Sequence, residues 1–287
     1  VPMTPENFER IREFLVCPSC KSDLDFETHQ ARCTQCGAVF PMESGKIFFI
    51  TPLSQVDELD IIKGRLKNLF GSFYHKILRP GLSPSFPFGL RGYLMAEFDL
   101  RSKIVIDLGS GNNKIHEDVF TVDVMNYENV DIVCDMRQLP FRAGSIDVFG
   151  TSSALEHVPE LQTVLNEIDV ATRPGGRGIH ITPFMYPFHA SPNDFVRFTH
   201  AGAAQLFAGW RVVEQFSVAG PFSLFNSIFA EFFSIIISLG NKNLQAVAYL
   251  ILCGLLAPIK FLDVLFLRRR AFISISAVIL TDLEKPG

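Results

Sequence analysis

The chain has 287 residues, with 26 Lys and Arg against 30 Asp and Glu, for a formal charge of −4. That length allows one large domain with an appendage or two modest domains, and the acidic balance excludes a bulk basic surface for nucleic acid. Hydrophobic residues make up 48% and charged residues 20%, which excludes disorder and coiled coil; a mean hydropathy of +0.24 requires that some particular segment carry the excess.

The opening Val1-Pro2-Met3-Thr4-Pro5-Glu6 lacks the basic-then-apolar order of an export signal, and valine at position 1 points to a trimmed start. Within residues 1–50, Cys17-Pro18-Ser19-Cys20 and Cys33-Thr34-Gln35-Cys36 form C-x2-C-x12-C-x2-C. Each knuckle presents two thiolates from one tight turn, and the pair completes a four-thiolate tetrahedral shell for Zn²⁺. Such a shell has no open position, so the metal's role is structural, and the site takes the net charge to about −6. The other two cysteines, Cys134 and Cys253, stand alone in apolar surroundings. Metal-type spacing without a disulfide framework predicts a reducing, cytoplasmic setting.

Residues 51–100 read as a helical linker or lid, interrupted by the turn-rich Pro80-Gly81-Leu82-Ser83-Pro84-Ser85-Phe86-Pro87. Beyond it, Ile104–Leu108, Phe120–Val124, Val130–Cys134 and Ile146–Phe149 are short β-branched runs of the buried, parallel type. A helix is expected from Pro159 through Ala171, stopped by Pro174-Gly175-Gly176, with a fifth strand at Arg177–Thr182 and a sixth at Arg211–Phe216. The alternation predicts an α/β sheet with a ligand crevice at the strands' carboxyl ends. There Gly109-Ser110-Gly111 lets the backbone turn sharply after Asp107 and approach a ligand closely. Asn112-Asn113 leaves little room for a full helix after that loop. Asp123 ends the second strand, sixteen positions after Asp107, where a carboxylate accepts both hydroxyls of a ribose. Asp135 and Met136, followed by Leu139-Pro140-Phe141, offer an acceptor and an apolar wall to an adenine. A dinucleotide enzyme is the rival reading, but Lys114 stands where its third glycine belongs and the strand spacing is short of about 20 residues.

The glycine loop, the second-strand acid, "CDMRQLPF", "SIDVFGTSSALEHV" and "ATRPGG" together resemble class I S-adenosylmethionine-dependent methyltransferases over about residues 101–217. The resemblance implies a Rossmann-like seven-stranded sheet. It also implies that Asp107, Gly109, Ser110 and Gly111 hold the methionine end, Asp123 the ribose, and Asp135 with Met136 the adenine. Ser152 and His157 would lie beside the cofactor, near the transferred methyl. "CPSCKSDLDF…CTQCGAVFP" resembles the zinc ribbon of tRNA-methyltransferase activator proteins. Pro183–Thr199 carries a likeness to type 11 methyltransferases of polysaccharide and secondary-metabolite biosynthesis.

Methyl transfer from a sulfonium is an in-line displacement in which alignment supplies much of the rate, and a base is needed only to activate a hydroxyl. The loop after the fifth strand offers Tyr186, His189, Asp194 and Arg197. His189 is the first candidate for general base and His157 the second. The competing view is that His189, Asp194 and Arg197 only tie the loop down. Gly150-Thr151-Ser152-Ser153 stands where amine methyltransferases carry Asn/Asp-Pro-Pro-aromatic, which disfavours methylation of base amines.

Residues 222–267 are the apolar segment: seven phenylalanines, and only Glu231, Lys242, Lys260 and Asp263 charged. The longest uncharged run, Asn243–Ile259, falls short of the ~20 residues of a spanning helix. The segment is expected to be a helical insertion before the last strand (Ala271–Leu280). It would dip into one leaflet with Arg268-Arg269-Arg270 at headgroup level, wall an apolar substrate pocket, form a homodimer interface, or be an ordinary insertion packed in the core. The sequence therefore predicts a methyltransferase, with a structural zinc, for a hydrophobic metabolite, isoprenoid, lipid or lipid-linked saccharide, methylated on oxygen or carbon and peripheral to the membrane. The alternatives are an rRNA or tRNA methyltransferase using the ribbon to grip RNA, and a non-catalytic cofactor-binding adaptor.

Overall fold

The computed structural model describes residues 3–53, 79–189 and 193–287. Half of the expected linker, 54–78, and the loop tip 190–192 lie outside the described residues. In chain order the elements begin with α1 (Pro5–Arg12), β1 (Leu24–Phe26), β2 (Gln30–Cys33), β3 (Val39–Glu43) and β4 (Lys46–Phe48). Then come α2 (Arg79–Leu82), α3 (Leu90–Glu97), β5 (Val105–Leu108), β6 (Val119–Asp123), β7 (Ile132–Val133) and β8 (Ile146–Ser152). The chain closes with α4 (Leu161–Ala171), β9 (Thr172–Pro183), α5 (His200–Ala203), β10 (Arg211–Ala219), α6 (Pro221–Ser238), α7 (Lys242–Lys260) and β11 (Val278–Glu284).

Strand order is β1-β2-β3-β4-β7-β6-β5-β8-β9-β11-β10. The strands from β4 to β9 are parallel neighbours, while β11 runs antiparallel between β9 and β10. The central strand β5 is buried along its length, as expected of a strand covered on both faces. The sheet holds eleven strands among the described residues: seven come from residues 105–284, and β1–β4 of the N-terminal region extend it at one edge. The N-terminal strands continue the sheet: Ile47 and Phe48 of β4 register with Ile132 and Val133 of β7. The cysteine knuckles dock beside this seam, with the Val16 amide donating to the Pro140 carbonyl at 3.0 Å and the Arg142 amide to Phe14 at 2.8 Å. Ser44 and Gly45, both at positive φ, close the β3–β4 hairpin with the twist such a two-residue turn needs.

Local chemistry explains the other departures. No helix follows β5 or β6; turns carry the chain to the next strand, as the paired asparagines at 112–113 anticipate for the first. Helix α4 starts at Leu161, after Pro159, and ends at Ala171 because Thr172 is already extended and starts β9. The Thr172 hydroxyl donates back to the Ile168 carbonyl at 2.6 Å. The last strand begins at Val278: residues Arg270–Ile275 wind into a 3-10 turn, where Phe272 packs on Phe266 at 4.5 Å.

Helices α6 and α7 form an antiparallel hairpin between β10 and β11, as the sequence predicts for 222–267. The inner face of α6 is small and polar, with Ser223, Asn226, Ser227, Ala230, Ser234 and Ser238 buried, while α7 buries Ala248, Leu250, Cys253 and Lys260. The hairpin's outer face exposes Phe225, Ile228, Phe232, Ile235, Ile236, Ile251 and Leu255, and at the tip Leu239 is 92% exposed. This inverts the pattern of a helix packed on a water-soluble core. Asp263, fully buried, anchors the hairpin: it accepts the amides of Gly220, Phe222 and Ser223, each at 2.9 Å, and the Ser223 hydroxyl at 2.6 Å. It thereby caps α6 from forty residues away in sequence, near the favourable end of the helix dipole.

Candidate functional site

A cavity of about 600 Å³ opens at the carboxyl end of β5. Asp107, Gly109, Ser110, Asn113, Lys114 and Ile115 line one side, Ser152 another, and Phe86–Arg91 close over it. Ile181, Val218 and Val278 form its floor. The wall segment is fastened to the hairpin base. The Phe86 amide donates to Ser223 Oγ at 2.8 Å, the Lys260 ammonium to the Ser83 carbonyl, and the Phe86 ring meets Phe261.

The glycine loop is set by contacts with the neighbouring strand. The amides of Gly109 and Ser110 both donate to the Val122 carbonyl, at 2.8 and 3.1 Å. Gly109 sits at φ +74°, and a Cβ there would come within 2.5 Å of the Ala154 methyl and 3.5 Å of Met136 Cε. Gly111, at φ +57°, has open space where a side chain would be. The Asp123 carboxylate is oriented by the amides of Gly111 (2.8 Å) and Met125 (2.9 Å), one on each oxygen. Burial raises its pKa against the pull of those two amides. Asp107 is nearly buried, and no described residue hydrogen-bonds its carboxylate. Burial and then the Asp123 charge push its pKa up to about 7, with Lys114 opposing. Lys114 itself is held by an ion pair to the buried Asp131.

Gly111, Asp123, Asp135 and Met136 lie off the cavity lining, as do His157, Tyr186, His189, Asp194 and Arg197. Burial alone would raise the Asp135 carboxyl, but the Arg137 guanidinium and amide outweigh it and leave the group below its ordinary value. Arg137 also pairs with Glu160 at 2.6 Å.

The expected acceptor loop is brought together. Arg197 clamps Asp194 through both terminal nitrogens and donates to the Pro187 carbonyl at 3.0 Å and, through Nε, to Tyr186 at 3.2 Å. Burial would raise Asp194, but the Arg197 contact prevails and lowers it. The Tyr186 ring stands edge-on to His189 at 5.3 Å, and its hydroxyl meets Ser85 on the cavity wall and Ser227 in α6. His189 and His157 both turn toward Glu156, a fully buried residue that sequence reasoning passed over. The signal for it was the Glu-His tandem directly after the fourth strand of the crevice. Lys114, Asn113 and the Phe86–Arg91 wall were missed as lining residues because their neighbours come from distant parts of the chain.

At the N-terminal knuckles the four sulfurs lie within 4.8 Å of one another, with Cys17–Cys36 at 3.7 Å and Cys20–Cys33 at 3.4 Å. Hydrogen bonds from Ser22 bring the Cys20 thiol down to about 6.

Residues 106–179 match the family described as "Methyltransferase domain". Comparison with curated proteins gives no match. Among solved structures, the chain is similar to one from the Haloferax volcanii complex of the Trm112 methyltransferase activator with a methyltransferase. That match has 21% identity and a TM-score of 0.42, covering 82% of this chain and all of that one. It is also similar to the Burkholderia thailandensis 1,6-didemethyltoxoflavin-N1-methyltransferase, at 15% identity and TM-score 0.44, covering 93% of this chain and 100% of that one. A third is a Haemonchus contortus phosphoethanolamine N-methyltransferase, at 14% identity and TM-score 0.47, covering 84% of this chain and 62% of that one.

Proposed function

We propose that the protein is an S-adenosylmethionine-dependent methyltransferase acting on oxygen or carbon of a hydrophobic, membrane-derived small molecule, isoprenoid, lipid or lipid-linked saccharide. The methyltransferase domain at 106–179 carries the reaction class. The fastening of the cavity wall to an inside-out apolar hairpin carries the substrate class.

The glycine-loop residues fit such a donor. Gly109 leaves no room for a side chain yet Gly111 opens onto free space, which is the cradle a ligand needs against a backbone. Each Asp123 oxygen accepts one amide and keeps a lone pair, enough for the paired hydroxyls of a ribose. Asp107, without a hydrogen-bonding partner among the described residues, suits the methionine ammonium, whose charge would favour its ionised form. When bound, the donor supplies a methyl group on a positively charged sulfur. Gly109, Asp107 and Asp123 orient it, the Phe86–Leu90 wall excludes water, and Ser152 faces the cavity from the end of β8. The polar end of the acceptor is read to sit at Glu156, His157 and His189, with Tyr186, Asp194 and Arg197 holding the loop that presents His189. Asp135 and Met136 are assigned to the adenine side, where Met136 already rests on the glycine loop.

The hairpin is assigned to the bilayer. Among the described residues, Pro221–Ser238 and Lys242–Leu265 are long and apolar enough to cross one, and α6 extends about 27 Å against a hydrocarbon core of ~30 Å. Small residues inside and large apolar ones outside is the arrangement lipid favours. The cysteine knuckles are assigned a structural Zn²⁺, since a tetrahedral shell with Zn–S near 2.3 Å puts sulfurs about 3.8 Å apart. The test is transfer of labelled methyl from S-adenosylmethionine into membrane extract, fractionated into organic-soluble, RNA, protein and polar pools. Label in the organic pool supports the reading; label confined to RNA or protein overturns the substrate class, and none in any pool overturns the activity.

A further inference from the structure

Glu156 lies in the 3-10 turn Leu155–His157, entirely buried, and neither carboxylate oxygen accepts a hydrogen bond from any described residue. Two imidazoles face it. His157 Nε2 is 3.8 Å and His189 Nε2 3.6 Å from the same oxygen, Oε1, and the rings stand edge-to-face with centroids 5.0 Å apart. The far nitrogen of each ring is engaged. His157 Nδ1 lies 2.6 Å from the Asn193 carbonyl, and His189 Nδ1 lies 3.3 Å from an Asp194 oxygen.

These outer contacts dictate the protons. A carbonyl only accepts, so His157 carries its hydrogen on Nδ1. His189 Nδ1 faces an Asp194 oxygen and, at 3.4 Å, the Pro187 carbonyl, while Arg197 Nη2, also 3.4 Å away, spends its two hydrogens on Asp194 and Pro187, so His189 carries its hydrogen on Nδ1 as well. In the neutral rings both Nε2 lone pairs then point at a buried carboxylate. Three electron-rich donors converging without a cation is a costly arrangement. Two imidazoles whose outer nitrogens bond to a carbonyl and a carboxylate, together with one carboxylate, make the donor set of a transition-metal site with its orienting partners in place.

We propose that Glu156, His157 and His189 bind one divalent transition-metal ion. A tetrahedral ion with nitrogen and oxygen ligands near 2.1 Å wants donors about 3.4 Å apart, so the observed 3.6 and 3.8 Å need to close by only a few tenths of an ångström. Three protein ligands leave at least one position for an oxygen of the acceptor, which makes the substrate class one with a hydroxyl or enol oxygen. That last role rests on the methyltransferase reading; the site itself does not.

The test is titration of the zinc-loaded protein, its four thiolates already occupied, with Co²⁺, followed by d–d absorption and calorimetry. S-adenosylmethionine affinity is measured in the same samples. One equivalent of cobalt without thiolate charge-transfer bands is expected, weakened at least about tenfold in Glu156→Gln and in His189→Ala. His189→Ala removes a half-exposed ring and carries the test if the buried substitution unfolds the chain. No uptake at millimolar cobalt, or uptake unchanged in both variants, overturns the site. Uptake by a protein that binds no S-adenosylmethionine upholds the site and removes the methyltransferase reading instead.

Discussion

Gly109→Ala against Gly111→Ala isolates what the glycine loop requires. Both residues have positive φ, +74° and +57°, so an alanine at either pays roughly 1–2 kcal/mol for the left-handed conformation. Part of that is recovered because alanine restricts the unfolded chain. Only at 109 does the new methyl meet an atom, with Ala154 Cβ 2.5 Å away. Overpacking of that kind adds roughly 1–3 kcal/mol. Gly109→Ala is therefore expected to lose about 1–4.5 kcal/mol of stability and Gly111→Ala about 1.5 or less. Urea unfolding with matched slopes reads both. Ala154→Gly removes the opposing methyl, so the double variant should recover at least about 1 kcal/mol relative to additivity. Gly111→Ala, whose methyl enters open space beside the Asp123 carboxylate that its amide binds, should instead weaken S-adenosylmethionine binding with little effect on folding. Equal destabilisation at the two positions, or strict additivity of Gly109→Ala with Ala154→Gly, would refute the reasoning.

Asp123→Ala should cost at least tenfold in S-adenosylmethionine affinity by calorimetry while the fold persists; unchanged affinity removes the ribose assignment. His180 is fully buried beside Thr151, at 2.9 Å, and burial lowers its pKa to about 3 from 6.5. Below pH 6.5 the unfolded chain binds the proton that the folded one refuses, so stability should fall as pH drops from 6.5 toward 3, by up to about 1.4 kcal/mol per unit. His180→Gln should flatten that slope in urea titrations at stepped pH. Leu239→Glu with Leu255→Glu, both on the outer hairpin face, should abolish flotation with lipid vesicles while shifting stability by about 0.5 kcal/mol or less per site; retained flotation would overturn the bilayer assignment. Removal of metal from Cys17, Cys20, Cys33 and Cys36 by a chelator should lower the thermal midpoint and open residues 17–36 to protease, read by mass spectrometry. The β5–β9 crevice should still bind S-adenosylmethionine, since its strands pair independently of the knuckles.

Much of the crevice was legible in the sequence because it is local. Asp107 through Gly111 must turn after a buried strand, and the spacing to Asp123 follows from one strand-turn-strand unit. The cysteine spacings likewise convert directly into a cluster of sulfurs, and the composition of 222–267 announces a helical segment with apolar residues to spare. The tertiary structure decided the rest. That β4 joins β7, so that the knuckles continue the sheet, depends on edge hydrogen bonds that no periodicity records. That Asp263 caps a helix forty residues earlier, and that Ser83–Phe86 is fastened to the hairpin, are contacts between separate stretches of chain. The convergence of His157 and His189 on Glu156 is of the same kind. A strand's burial pattern is written along its own residues, because backbone geometry repeats every two positions; the partner of a buried carboxylate is chosen by how the loops close, and only the folded chain specifies that.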